Sequence, residues 1–201
     1  MYDFIEGNIE KISPTQMVLE NNGMGYLLAI SIVTYEKIKS QKQARIFTEL
    51  VFKIENQGPV GMVLYGFAEP EEREMFRLLT SVSGVGNNTG MLMLSSLDAE
   101  GLASAILNGN VGLLKSIKGI GEKTAQRIVL ELRDKVGGKK MKGGATLLSP
   151  GVSDNITEAL SALTTLGYNK ANAEKALLKI SENGKLTLTV EELIRNSLKI
   201  L

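Results

Sequence analysis

One short pattern occurs twice in this chain of 201 residues, at a separation of 35: Ser83-Gly84-Val85-Gly86 within LLTSVSGVGNNTG, and Lys118-Gly119-Ile120-Gly121 within LLKSIKGIGEKTA. Each copy follows an apolar run of helical period ending in Leu-Leu-x-Ser and opens another helical run. Both therefore predict a helix, a tight glycine hairpin and a second helix. Two glycines around an aliphatic residue leave the backbone bare, and the following helix begins with N–H groups that lack intrahelical acceptors. The positive end of the helix dipole adds to them, so each hairpin is suited to phosphate. The candidate contacts are Gly84, Val85, Gly86 and Asn88 in the first copy. In the second they are Gly119, Ile120, Gly121, Lys123 and Thr124, through backbone N–H groups, with Lys118 and Arg127 assisting.

A nucleotide cofactor is the obvious rival ligand, but the dinucleotide fingerprint needs G-x-G-x-x-G directly after a strand. Here the next small residues, Gly90 and Ala125, come one position late, and helix precedes the turn. No G-x-x-x-x-G-K-[ST] phosphate loop occurs in the sequence. The expected ligand is polymeric phosphate, with no ATP hydrolysis and no cofactor. The chain has no Cys and no His, which removes the usual zinc sites, thiol nucleophiles and imidazole bases and any disulfide framework. No apolar run approaches the roughly 20 residues that span a bilayer, and the start, MYDFIEGNIEK, lacks the pattern of a signal peptide. The expectation is a cytoplasmic protein that binds neither metal nor membrane.

Net charge is only +1, yet its distribution is uneven. Lys115, Lys118, Lys123, Arg127, Arg133, Lys135, Lys139, Lys140 and Lys142 stand against Glu122, Glu131 and Asp134 in the segment around and beyond the second hairpin. A basic run alone is usually a solvated face; beside a phosphate-type hairpin it supplies the electrostatic part of DNA binding.

Residues 1–66 read as all-β. Five short apolar stretches, 2–9, 17–20, 25–31, 46–52 and 62–67, are separated by turn material such as Asn21-Asn22-Gly23, and 34–40 suits a short helix. Five strands in so short a span favour a closed barrel. Residues 67–136 read as helical: Glu69-Pro70-Glu71-Glu72 starts a helix, Asp98 caps another, and a last one carries Ile128, Leu130 and Leu132 before Gly137-Gly138. Residues 137–153 are rich in Gly, Lys, Ser and Pro and read as a flexible linker. Residues 154–201 form three helices with balanced charge, which favours a protein-binding role; Leu166, Tyr168, Leu177 and Ile180 are the candidate partner surface.

With this order of parts the whole chain resembles the RuvA family. The carriers are Leu64-Tyr65-Gly66-Phe67, Glu72-Arg73-Glu74-x-Phe76, the two hairpins, Gly119-Ile120-Gly121-x-Lys123-Thr124-Ala125-x-Arg127, and Leu166-Gly167-Tyr168. The resemblance implies a multidomain α and β chain: an OB-fold barrel, a tandem helix-hairpin-helix domain that binds DNA backbone, and a mobile three-helix domain. It also implies a non-catalytic subunit that holds four-way (Holliday) junctions open and square during recombination and DNA repair. The implied partners are junction DNA, the hexameric ATPase RuvB that drives branch migration, the resolvase RuvC, and further copies of the chain in a tetramer or a stacked octamer.

Two segments depart from the family pattern. The turn between the last two strands usually carries two adjacent acids that project toward the junction centre as a pin. This chain has Glu55 followed by Asn56 in a longer segment, Ile54-Glu55-Asn56-Gln57-Gly58-Pro59-Val60-Gly61. The first hairpin continues with Asn87-Asn88-Thr89-Gly90 where a proline and often a lysine are usual. Two other functions stay open at this point. One is a general duplex-binding adaptor without junction preference. The other is a glycosylase-type enzyme using Asp134, although that residue falls only 13 positions after Gly121, on the same expected helix.

Overall fold

The computed structural model describes residues 2–53, 61–138, 153–182 and 188–201. Glu55 and Asn56, with Lys139, Lys140, Lys142 and most of the expected linker, lie outside the described residues. The chain divides into two compact units, Met1–Lys142 and Gly143–Leu201.

In the first unit, strands β1 (Phe4–Ser13), β2 (Gln16–Asn21), β3 (Met24–Ile30), β4 (Gln43–Lys53) and β5 (Gly61–Phe67) close a barrel in the order β1-β2-β3-β5-β4. Every pairing is antiparallel except β3 with β5. The β2–β3 turn is Asn22-Gly23, with φ of 50° and 80°. Positive φ at both central residues is what a two-residue hairpin loop needs, and Asn-Gly supplies it at least cost. Strand β1 runs four residues beyond its apolar stretch. Residues 4–8 pair with β4, residues 8–13 pair with β2, and the register shifts between Ile9 and Lys11. Pairing with two neighbours in succession thus carries the strand on through Lys11, with Glu10 left without a register partner at the shift. Ile5, Met17, Leu19, Leu28, Ile30 and Ile46 fill the barrel. Ser31, read as the end of a strand, instead caps α1 (Ile32–Ile38), accepting from the Thr34 N–H.

Helices α2 (Pro70–Thr80), α3 (Asn87–Ser96), α4 (Ala99–Leu107), α5 (Val111–Lys115) and α6 (Glu122–Gly138) share one core with Tyr65 and Phe67 of the barrel's last strand, on which α2 packs. The Leu64-Tyr65-Gly66-Phe67 stretch explains how. Tyr65 and Phe67 place their rings 5.0 and 5.2 Å from Phe76, inside the helical core. Gly66 points the other way: a Cβ there would lie 2.8 Å from Ile46 and 3.0 Å from Leu28, so only glycine fits against the barrel interior.

A polar seam fixes the same junction. Glu72 on α2 accepts hydrogen bonds from Ser31 and from Thr34 (2.7 Å), and Thr34 in turn accepts from the Ala68 N–H at 2.9 Å. Burial pushes the Glu72 carboxyl above the usual carboxylate range, against the lowering effect of its two hydroxyl donors. Arg73 donates to the carbonyl and carboxylate of Asp3, both at 2.7 Å, and lies over the Phe47 ring. The barrel and the helical region lie within one compact unit.

Helix α6 buries Ala125, Ile128, Leu132 and Val136 at helical spacing. Leu130, grouped with Ile128 and Leu132 in the sequence reading, is out of phase with them and 81% exposed. The helix also continues through Gly137 to Gly138, and Gly137 passes so close to Leu107 that a Cβ would lie 3.3 Å from it.

In the second unit, α7 (Ser153–Thr165), α8 (Lys170–Glu182) and α9 (Val190–Ser197) surround Ala159, Leu163, Ala173, Leu177 and Leu193. Leu166-Gly167-Tyr168 is a helix stop: Gly167 has φ 94°, its N–H donates to Thr164, and Tyr168 donates to Leu163. Thr189 and Glu192 form a reciprocal capping box at the start of α9. Leu177 is completely buried and leaves the candidate partner surface, since α8 turns that face to the core. Ile180 is partly buried against the same core, whereas Leu166 and Tyr168 remain exposed.

Candidate nucleic-acid interface

The two hairpins are built alike, bond for bond. Ser81 donates through its backbone N–H and its hydroxyl to the Leu78 carbonyl, Val82 donates to Leu79, and Val85 donates to Val82. Thirty-five residues later Ser116 donates in both ways to Leu113, Ile117 to Leu114, and Ile120 to Ile117. The Leu-Leu-x-Ser motif is thus a helix stop, with serine tying off a terminal carbonyl. Gly84 and Gly119 follow with φ of 94° and 90°, a region that side chains disfavour. Val85 and Ile120 then fall back into the shared core, each only 5% exposed.

These bonds remove two residues from the candidate phosphate donors. The N–H groups of Val85 and Ile120 are spent inside their own hairpins, and their side chains are anchors. Helix α3 begins at Asn87 with Gly86 as its cap, whose carbonyl accepts from Gly90; no side chain caps it. Gly121 does the same for α6, accepting from Ala125. The N–H groups of Gly86, Asn87, Asn88 and Thr89, and of Gly121, Glu122, Lys123 and Thr124, have no acceptor among the described residues.

Gly86 and Gly121 differ from the glycines that precede them. Neither has a positive φ, and a Cβ on either would meet nothing within 4 Å. Fold and packing leave both positions free to carry a side chain.

The hairpins are adjacent. A Cβ on Gly84 would lie 4.0 Å from the Thr124 hydroxyl, and Arg127 Nη1 donates to the Ser83 carbonyl at 3.1 Å. Their charges differ. The first turn of α3 holds Asn87, Asn88 and Thr89 with no ionised group. The second hairpin carries exposed Lys118 and Lys123, neither paired with a carboxylate among the described residues. Glu122, the one acid in the first turn of α6, is held by Lys115 at 2.7 Å, and that bond raises the lysine's pKa. Pairing offsets a carboxylate that stands at the helix start beside the free amides.

Asp134, the candidate base of an enzymatic alternative, is exposed on the far part of α6. Among the described residues no three acidic side chains gather as a metal site, and no single helix is long and apolar enough to cross a membrane.

Family models match in the order of the chain. The RuvA N terminal domain covers residues 1–66, a SAM-like Helix-hairpin-helix tandem covers 76–134, and the RuvA, C-terminal domain covers 154–201. Proteins described as "Holliday junction branch migration complex subunit RuvA" align along their full length and that of this chain. That of Christiangramia forsetii is 42% identical over 201 residues, that of Flavobacterium psychrophilum 40% over 201, and that of Azobacteroides pseudotrichonymphae 38% over 202. Matched from end to end in all its parts, the chain belongs to the RuvA family.

Proposed function

We propose that this chain is a non-catalytic, cytoplasmic DNA-binding subunit that grips the phosphate backbone of four-way junctions through its paired hairpins. The observation that carries the reading is the pair Gly86 and Gly121. Both are glycine where neither backbone angle nor packing requires it, at helix starts whose amides lack acceptors among the described residues. Close approach of an anion gives bare backbone at these points a purpose. The phosphate contacts are the N–H groups of Gly86, Asn88, Gly121, Lys123 and Thr124, with Lys118 and Lys123 supplying charge. Gly84 and Gly119 shape the turns. Such contacts position a protein on DNA without reading bases, so preference for a junction comes from presenting several copies to several arms at once. Four weak clamps in one tetramer gain avidity only when geometry lets all engage.

The relatives' name, a branch migration complex subunit, supports action within a larger assembly. In our reading the RuvB ATPase docks on residues 154–201, where Leu166 and Tyr168 are exposed, and RuvC acts on the same junction. Competition of a four-way junction against linear duplex of equal length, with oligomer mass measured in parallel, tests the proposal. A tetramer or octamer should prefer the junction by at least tenfold. A monomer that binds both forms equally is the general duplex adaptor instead.

A further inference from the structure

Arg127 makes a contact that the repeat itself does not contain. It lies on α6, six residues beyond Gly121. Its Nη1 donates to the Ser83 carbonyl in the first hairpin, 44 residues away, at 3.1 Å. Its Nε stands 3.8 Å from Glu131 one turn further along α6. The equivalent position in the first copy, 35 residues earlier, is the exposed Leu92, whose side chain has no donor to reach back from α3 in the same way. The guanidinium is thus held from two sides by protein oxygens, and its fixed fork suits it to span them.

We propose that Arg127 is a positioning residue that sets the spacing between the two hairpins, and that it is not itself a phosphate ligand. The inference rests on the phosphate reading above for its functional consequence, though the strut can be tested without DNA. The apolar anchors Val82 and Val85 hold the Ser83-Gly84 turn on the core, and the Arg127 bond ties it to α6. Without the bond the first hairpin keeps its fold but loses its fixed distance from Lys123 and Thr124. Two clamps out of register engage one backbone less well than two held together.

The test uses the full-length protein with Arg127→Gln and Arg127→Lys, and with Lys123→Ala as the comparison for a true phosphate contact. Amide hydrogen exchange is measured over residues 82–92 in the absence of DNA, and four-way junction affinity is measured across a series of salt concentrations. For Arg127→Gln the expected result is faster exchange in the first hairpin and affinity weakened by about tenfold, with an unchanged salt slope. Arg127→Lys should share the defect, because one ammonium does not span Ser83 and Glu131. Unchanged exchange overturns the proposal. So does a salt slope that becomes shallower by about 0.9 in Arg127→Gln, as when one phosphate is no longer neutralised, and that lysine restores, since that pattern marks a phosphate ligand. If Lys123→Ala leaves affinity and slope intact, the phosphate reading fails, while the exchange result still decides the strut.

Discussion

The contrast between the two glycines of one hairpin offers a sharp separation of folding from binding. Gly119 has φ 90°, where a Cβ crowds the following carbonyl, so Gly119→Ala should cost about 1–2 kcal/mol of stability. Gly121 is free of that strain and opens on empty space. Alanine there restricts the unfolded chain, worth about 0.4–1 kcal/mol in favour of folding. Against this, alanine is a poorer helix cap than glycine by a similar amount. The two effects nearly offset, and Gly121→Ala should lie within about 0.5 kcal/mol of the parent. Binding should respond the other way round. A methyl group on the cap keeps a phosphate from closing on the amides, and a hydrogen bond to a charged group is worth about 1.5–3 kcal/mol. That corresponds to roughly 10- to 150-fold in affinity for a four-way junction. Urea unfolding gives the first quantity and fluorescence anisotropy with a labelled junction the second. Full junction affinity in a folded Gly121→Ala protein would refute the reasoning, as would a loss of stability equal to that of Gly119→Ala.

The buried carboxylate and the second unit give two further expectations. Because burial raises the folded-state pKa of Glu72 above its ordinary 4.5, its proton-linked contribution to stability is fully present below that value. It is lost as pH rises through the raised folded pKa, so the parent should gain stability relative to Glu72→Gln as pH falls from 7 toward 4.5. A stability difference that is flat with pH, or that favours the parent more as pH rises, contradicts this. Truncation after Ser149 should leave junction affinity within about twofold, since the hairpins and their core lie before it, and should abolish stimulation of the RuvB ATPase. Loss of junction binding on truncation would move part of the DNA contact to the last unit.

Much of the architecture is legible in the sequence because local and tertiary signals agree. Asn22-Gly23, Glu69-Pro70, Asp98 and Leu166-Gly167-Tyr168 each carry turn or cap chemistry that the fold uses as written. The repeat is equally plain, because serine stop, left-handed glycine and cap glycine are all residue-specific. What escapes the sequence depends on direction and distance. Helical spacing does not separate Leu130 from Ile128 and Leu132, since all three are apolar and only the packed face distinguishes them. Leu177 turns inward for a reason of the same kind. The amides of Val85 and Ile120 look free in the sequence, yet they bond to Val82 and Ile117. The seam of Glu72 with Ser31 and Thr34 joins residues about 40 apart, and Arg127 reaches Ser83 across 44. No local pattern marks such pairs. The difference between Gly119, required by its own backbone, and Gly121, required by neither backbone nor packing, is likewise invisible in a string that shows both as glycine.

The most direct measurement is of the amides themselves. Backbone 15N–1H spectra of the full-length protein, recorded with and without a four-way junction, follow each hairpin residue separately. The account predicts large shifts for Gly86, Asn88, Gly121, Lys123 and Thr124, whose N–H groups lack acceptors among the described residues, and much smaller ones for Val85 and Ile120, whose N–H groups are already bonded. Shifts confined to the barrel or to residues 154–201, with both hairpins silent, would contradict it.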